Sequence, residues 1–149
     1  MIHPPPAFLQ KSLSRLGLLS LAGALLLGSG TADAASAYWN GSTAGLWTTD
    51  ANWNTDVNSG VTATAPISTT DVFFSTTTPV PVNLATTLGQ NFSINSLSYL
   101  DTAAATSIDG GGVNTLTIGT GGITVAETTA SHSITAGVVL GSNQTWTIG

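Results

Sequence analysis

The chain has 149 residues, a formal net charge of −5 and no cysteine, so it is long enough for one domain and cannot be held together by disulfides. Only 6% of its residues are charged, against about 25% in an average soluble protein. The only two basic residues are Lys11 and Arg15. Because binding to nucleic acid or anionic lipid depends largely on Lys and Arg, this composition excludes nucleic acid as a partner.

Residues 1–37 are predicted to be an export signal. Lys11 and Arg15 supply its positively charged start, and residues 16–27 form an apolar core of signal-peptide length, shorter than the roughly 20 residues of a transmembrane helix. Small residues follow, with an A-x-A pattern at 32–34 and another at 35–37. Cleavage is therefore expected after Ala34 or Ala37, and the mature protein is expected to be exported.

Residues 38–70 form an aromatic-rich segment that contains three of the four tryptophans, Trp39, Trp47 and Trp53. A stack of β-strands needs a cover at its end to stop edge-to-edge association, and buried aromatic side chains are common. We therefore expect this segment to be a hydrophobic cap. Exposed tryptophans can also stack on sugar rings, so a secreted carbohydrate-binding module that uses these three residues is the alternative.

Four oxygen-bearing side chains stand at alternate positions in the same segment: Asp50, Asn52, Asn54 and Asp56. This spacing is superficially that of a calcium-binding loop, but an EF-hand loop requires Gly at its sixth position and Glu at its twelfth. Thr55 and Val61 occupy those positions. We therefore interpret the four residues as turn formers and predict neither a metal nor another cofactor.

Residues 71–149 contain three copies of a five-residue motif of alternating polar and apolar residues, at 95–99, 114–118 and 144–148. Alternation of this kind predicts half-buried β-strands. Further strands are predicted at 71–74, 80–84, 122–125 and 137–140, and a glycine turn at 109–112. The copies begin at Asn95, Asn114 and Gln144, and both intervals suit coils of roughly 20 to 30 residues, each with two or three short strands.

The predicted fold is all-β: a right-handed parallel β-helix or β-solenoid with an aromatic amino-terminal cap, with an antiparallel β-sandwich as the alternative. The residues expected inside are Leu97, Tyr99, Leu116, Ile118, Ile123, Val125, Ile134, Val138, Leu140, Trp146 and Ile148. The threonines between them, Thr115, Thr117, Thr124, Thr145 and Thr147, are expected outside. The last coil is expected to be incomplete and to expose Trp146, so a downstream β-repeat segment or a second copy is the expected partner at this edge.

No catalytic constellation is predicted. Glu127 and His132 are the only close Glu/His pair, and they flank an apparent loop. Hydrolysis requires paired carboxylates or a nucleophile with an oriented base, and the chain has no cluster of His or Cys metal ligands. We therefore predict no enzymatic activity and no catalytic residues.

Several short motifs resemble, in order, the start of bacterial autotransporter-associated β-strand repeat proteins. They are Tyr38-Trp39-Asn40-Gly41, Trp47, Asn52-Trp53, Asp71-Val-Phe-Phe74, Val82-Asn-Leu84, Ile94-Asn-Ser-Leu97, Leu116-Thr-Ile-Gly119, Gly122-Ile-Thr-Val125 and Asn143-Gln-Thr-Trp146. The resemblance implies an exported passenger with a β-helical body, secreted or held at the bacterial cell surface or outer membrane. It favours a structural or adhesive role, with surface glycans as further candidate partners.

Overall fold

The computed structural model describes residues 33–75, 81–100, 104–127 and 130–149. The core of the predicted export signal therefore lies outside the described residues. The unit Ala32–Gly149 is compact, and its described part is all-β except for one turn of 3₁₀ helix at Asp50–Asn52. The strands are β1 (Ala35–Trp39), β2 (Trp53–Asn54), β3 (Thr70–Phe74), β4 (Ala85–Thr87), β5 (Phe92–Tyr99), β6 (Thr106–Asp109), β7 (Thr115–Val125), β8 (His132–Ile134), β9 (Gly137–Leu140) and β10 (Trp146–Ile148).

The strands form two sheets. The larger has seven strands in the order β2-β1-β3-β5-β7-β10, with β9 also paired to β7, and the smaller has the order β4-β6-β8. Only the pair β1–β2 is antiparallel, and the other pairs between the described strands are parallel. From β3 to β9 the chain alternates between the sheets, and β9 and β10 then follow each other in the large one. A strand of the small sheet therefore separates β3 from β5, β5 from β7 and β7 from both β9 and β10.

Equivalent positions in the large sheet recur at a nearly constant interval. Val72, Leu97, Ile123 and Trp146 are successive partners, so equivalent positions recur every roughly 25 residues, within the range of internal sequence repeats. The copies of the motif at 95–99 and 144–148 share this register. The copy at 114–118 does not, because its central residue, Leu116, pairs with Phe92 and not with Leu97. The interpretation of all three copies as equivalent is therefore wrong. The structural repeat follows the nearly constant interval between register partners, and not the unequal distances between the three copies.

The core is apolar and runs along the inward face of the large sheet. Five residues predicted to be inside are buried, namely Leu97, Tyr99, Leu116, Ile118 and Ile123, and Val125 and Ile134 pack against them half-buried. Burial was wrongly predicted for Val138, Leu140, Trp146 and Ile148, whose exposed fractions are 38%, 61%, 49% and 68%. These four continue the inward-facing columns of β7, but they lie on the last strands, and no described strand packs beyond them.

The predicted threonine positions agree in part with the structure. Thr124, Thr145 and Thr147 are exposed, and Thr115 and Thr117 are half-buried. At the predicted glycine turn, Gly111 and Gly112 have φ of 61° and 79°, a region that glycine enters at little cost.

The strand predicted at 80–84 is wrong for residues 81–84, which are irregular; the extended segment in this region is β4, from Ala85 to Thr87. Pro81 has no N–H for a strand ladder, and Asn83 has φ of 49°, which extended backbone does not allow. Val80 lies outside the described residues.

Candidate functional site

The three tryptophans of the aromatic segment form one buried cluster. Trp39 is 3% exposed, and Trp47 and Trp53 are 0% exposed. Trp53 lies edge-on to both of the others, with ring centroids 4.9 Å from Trp39 and 5.1 Å from Trp47. Trp47 also packs edge-on against Phe92 at 5.5 Å. None of the three rings offers a face to solvent, so these contacts belong to the core.

The polar N–H of each indole is satisfied inside the fold. Trp39 Nε1 donates to the carbonyl of Val82 at 3.1 Å, and Trp53 Nε1 donates to the carbonyl of Trp47 at 2.9 Å. Trp47 Nε1 donates to Thr86 Oγ1 in the small sheet at 3.0 Å. Since buried indoles usually require such partners, the cluster links the first strands of both sheets and leaves no indole N–H for a ligand.

The four alternating Asp and Asn residues hold loops together. Asn52 is fully buried; its side-chain oxygen accepts from the backbone of Thr43 and Ala44, and its amide donates to the carbonyls of Ala44 and Leu46. The other three accept from different groups. Asp50 accepts from the Ala65 N–H, Asn54 from the Asn40 amide, and Asp56 from the N–H groups of Asn58 and Ser59. Their oxygens serve separate turns and do not share one centre.

A groove of about 360 Å³ lies beside this segment and is lined mainly by Asn40, Ser42, Asn54, Thr62 and Val82. The side chains of Asn40, Ser42 and Asn54 are engaged with each other and with the backbone. Asn40 donates to Asn54 at 2.7 Å, and the Ser42 hydroxyl donates to the Ala51 carbonyl at 2.7 Å. These bonds fix the loops, so we assign these three side chains to the fold.

The titratable residues do not form a catalytic arrangement among the described residues. Glu127 is exposed after the end of β7, and His132 stacks on Tyr99 with ring centroids 4.2 Å apart. Burial lowers the pKa of His132 and raises the pKa of Tyr99. Within residues 33–75, 81–100, 104–127 and 130–149, no group of three or more His, Asp or Glu side chains could hold a metal ion.

The outer face of the large sheet carries a polar ladder that the sequence patterns did not reveal. Asp71 accepts hydrogen bonds from the Asn95 amide at 2.7 Å and from the Ser96 hydroxyl, and Thr120 donates to Asn95 at 3.2 Å. Two residues further along β3, on the same outer face as Asp71, Phe73 stacks on Tyr38 of β1 at 4.6 Å. These contacts join side chains on successive strands, so we assign them to stability.

One end of the strand stack is closed by the chain itself. In the large sheet, the first strand β2 is bonded on its outer side by the segment 61–63, through Ala63 N–H to the Trp53 carbonyl at 2.8 Å and Thr55 N–H to the Val61 carbonyl at 3.0 Å. In the small sheet, Trp47 N–H donates to the Thr87 carbonyl of β4 at 3.0 Å. Both sheets therefore have covered first edges.

The other end carries a row of exposed apolar side chains. These are Val138, Val139 and Leu140 on β9 and Trp146 and Ile148 on β10. Both strands pair with β7, so they lie end to end along one edge, and no described strand pairs with their outer side. An unpaired edge with several large apolar residues marks an interaction site, which makes this open end the candidate functional surface.

No family model, no curated protein and no solved structure matches this chain. In the part of the chain that the structure describes, no helix has the length and apolar character needed to cross a membrane.

Proposed function

We propose that this protein is a non-catalytic structural segment of an exported cell-surface β-solenoid of the autotransporter-passenger kind, acting as a scaffold or an adhesive spacer. The observation that carries the proposal is the asymmetry of the strand stack. One end is closed by aromatic residues and by the chain's own backbone, and the other end presents β9 and β10 without cover. A scaffold segment needs such an end in order to continue or to join other β-structure.

Three features of the topology favour a solenoid over the antiparallel sandwich. The neighbouring strands β3, β5 and β7 are parallel, whereas a sandwich of hairpins is antiparallel. A strand of the small sheet lies between each pair in the chain. The interval between equivalent positions, roughly 25 residues, is that of a coil. Crossovers between parallel strands are almost always right-handed, which supports a right-handed coil.

The tryptophan cluster supports the role of a cap. A sugar-binding platform needs exposed ring faces, and the rings of Trp39, Trp47 and Trp53 are buried. Their burial therefore supports the structural proposal and gives no support to a carbohydrate-binding module built on these three residues. A structural role for this segment is also supported by its polar side chains, which hydrogen-bond to different groups. These side chains are Asp50, Asn52, Asn54 and Asp56.

Duplication of one coil tests the proposal. Repeating residues 98–123 directly after Ile123 keeps the phase, because Leu97 and Ile123 are register partners, and adds one strand spacing of about 4.8 Å to the stack. Because repeat proteins are approximately sums of neighbouring units, we expect the lengthened protein to unfold cooperatively at a denaturant midpoint equal to or above that of the parent.

A half-length insertion of residues 98–110 at the same point is the matched control, because it moves every later strand out of phase. It is expected to lower the midpoint or to abolish cooperative unfolding, as followed by circular dichroism. A full-coil duplication that unfolds while the half-length insertion is tolerated would contradict the solenoid.

A further inference from the structure

The groove beside the aromatic segment contains a buried asparagine with an unused donor group. Asn54 lines this groove and is only 6% exposed. Its side-chain oxygen accepts from the Asn40 amide at 2.7 Å, but its amide nitrogen has no hydrogen-bond partner among the described residues. The nitrogen is not enclosed by the fold. Because buried polar groups are normally hydrogen-bonded, an accessible amide left over in a groove indicates a place for a ligand.

The hydrogen bonds of the loops determine which end of each amide is free. The backbone N–H of Ser42 can only donate, and it donates to Asn40 Oδ1 at 2.7 Å. The NH₂ group of Asn40 therefore faces Asn54, and the atom that accepts from it must be the oxygen of Asn54. The NH₂ group of Asn54 is consequently the free end. The bonds that assign these side chains to the fold also hold this group in place before a ligand arrives.

A free hydroxyl group lies beside this amide. Asn54 and Thr62 are partners in an antiparallel bridge, and directly opposite residues project to the same side of a sheet with Cβ atoms about 5 Å apart. Thr62 is exposed and lines the groove, and in the described part of the chain nothing hydrogen-bonds to its hydroxyl. The Ser42 hydroxyl donates to the Ala51 carbonyl and keeps its lone pairs as acceptors. The groove therefore offers both donors and acceptors.

The lining selects a neutral ligand that is rich in hydroxyl groups. None of the residues that line the groove is charged, so neither an anion nor a metal ion has a counter-charge there. Asp50 and Asp56, the carboxylates of this segment, accept from backbone N–H groups. Val82, which is 50% exposed, gives the groove an apolar wall that is too small for a lipid. A sugar hydroxyl both donates and accepts, and the C–H groups of a sugar ring suit such a wall.

We propose that this groove binds a neutral saccharide, with the free amide of Asn54 and the hydroxyl of Thr62 as its hydrogen-bonding partners and Val82 against the apolar side of the sugar ring. The groove volume of about 360 Å³ lies at the small end of the range for ligand sites, so the ligand is a short saccharide or the end of a longer glycan. The site does not use the three buried tryptophans. The inference goes beyond the scaffold role proposed above and does not depend on it.

NMR titration of the full-length protein with a panel of neutral oligosaccharides, built of hexose or N-acetylhexosamine units, tests the site. The side-chain NH₂ groups of asparagine give signals of their own, so weak binding can be followed at each amide. At least one neutral saccharide is expected to shift the NH₂ signals of Asn54 and Asn40 to saturation and to leave those of the exposed, distant Asn143 unchanged. No saturable shift with any member, or a response only to acidic saccharides or only to short uncharged peptides, would overturn the proposal.

Variants of the groove locate the binding site. Gly60 lines the groove, and a Cβ atom there would have nothing within 4 Å, so Gly60→Leu should keep the fold, obstruct the groove and reduce binding below detection. Thr62→Val keeps the shape of the side chain but removes one hydrogen bond, which should weaken binding about fivefold to tenfold. The matched controls are Thr64→Leu and Thr64→Val, at an exposed position of the same segment outside the groove, and both should bind like the parent. Unchanged binding by Gly60→Leu and Thr62→Val, with unaltered circular dichroism spectra, would contradict the assignment.

Discussion

Replacement of Trp47 by alanine probes the closed end most strongly. The side chain is fully buried, packs edge-on against Trp53 and Phe92, and donates its indole N–H to Thr86 in the other sheet. Truncating a buried tryptophan typically costs about 3 to 5 kcal/mol. Because the total stability of a domain is only about 5 to 15 kcal/mol, we expect this one change to remove a large part of it.

The assay is urea unfolding followed by circular dichroism. With a denaturant slope of about 2 kcal/mol per molar, a loss of about 4 kcal/mol lowers the midpoint by about 2 M. Trp146→Ala is the matched control, because Trp146 is 49% exposed; its loss should lower the midpoint by less than about 0.5 M. Both proteins are compared at the same low concentration, so that association contributes little. Equal shifts for the two variants would refute the assignment of Trp47 to a core cap.

Three further predictions concern other parts of the chain. Asn52→Ala leaves four backbone groups without their buried partner and should lower the unfolding free energy by about 3 kcal/mol, whereas the exposed Asn58→Ala should change it by less than about 0.5 kcal/mol; similar losses in urea would contradict this role. Because burial lowers the pKa of His132 in the folded protein, the unfolded chain binds the proton more readily, so stability should fall as pH drops through about 6.5. A His132→Asn variant with an unchanged pH dependence of its melting temperature would show that this residue is not the cause. Since β1 begins at Ala35 and buries Ala37, intact-mass analysis of exported protein should find Ala35 at the amino terminus, and a start at Tyr38 would argue against the pairing of β1 with β3.

Local alternation was enough to predict most strands of the large sheet. The segments that form β5, β7 and β10 are indicated by apolar residues at every second position, which is the period of a strand, and β3 and β9 are indicated by short runs of strand-forming apolar residues. The same property explains the error in register. A motif with a period of two does not by itself specify its register, so the copy at 114–118 is predicted to be equivalent to the one at 95–99. In the structure, Leu116 pairs with Phe92, and Leu97 pairs with Ile123.

Backbone conformation and position in the stack were harder to predict than strand content. The left-handed conformation of Asn83 ends the predicted strand before β4. Asparagine adopts this conformation more readily than Val82 or Leu84 would, but alternation of polar and apolar residues does not show which asparagines do so. The exposure of Leu140 and Ile148 depends on what lies beyond them in space, which alternation along a single strand does not encode. The burial of Trp47 and Trp53, in contrast, followed from the general preference of aromatic residues for the interior.

The parallel register of β5 and β7 can be measured directly with a pair of cysteines in a chain that otherwise lacks them. Ser98 and Thr124 are register partners on the outer face of β5 and β7, and neighbouring strands lie about 4.8 Å apart, within disulfide range. The double variant Ser98→Cys/Thr124→Cys is predicted to form an intrachain disulfide and to keep its fold, whereas Ser98→Cys/Thr117→Cys, well out of register, should stay reduced. A disulfide in the second variant and none in the first, with both proteins folded, would contradict the parallel pairing of β5 with β7 on which the proposed solenoid depends.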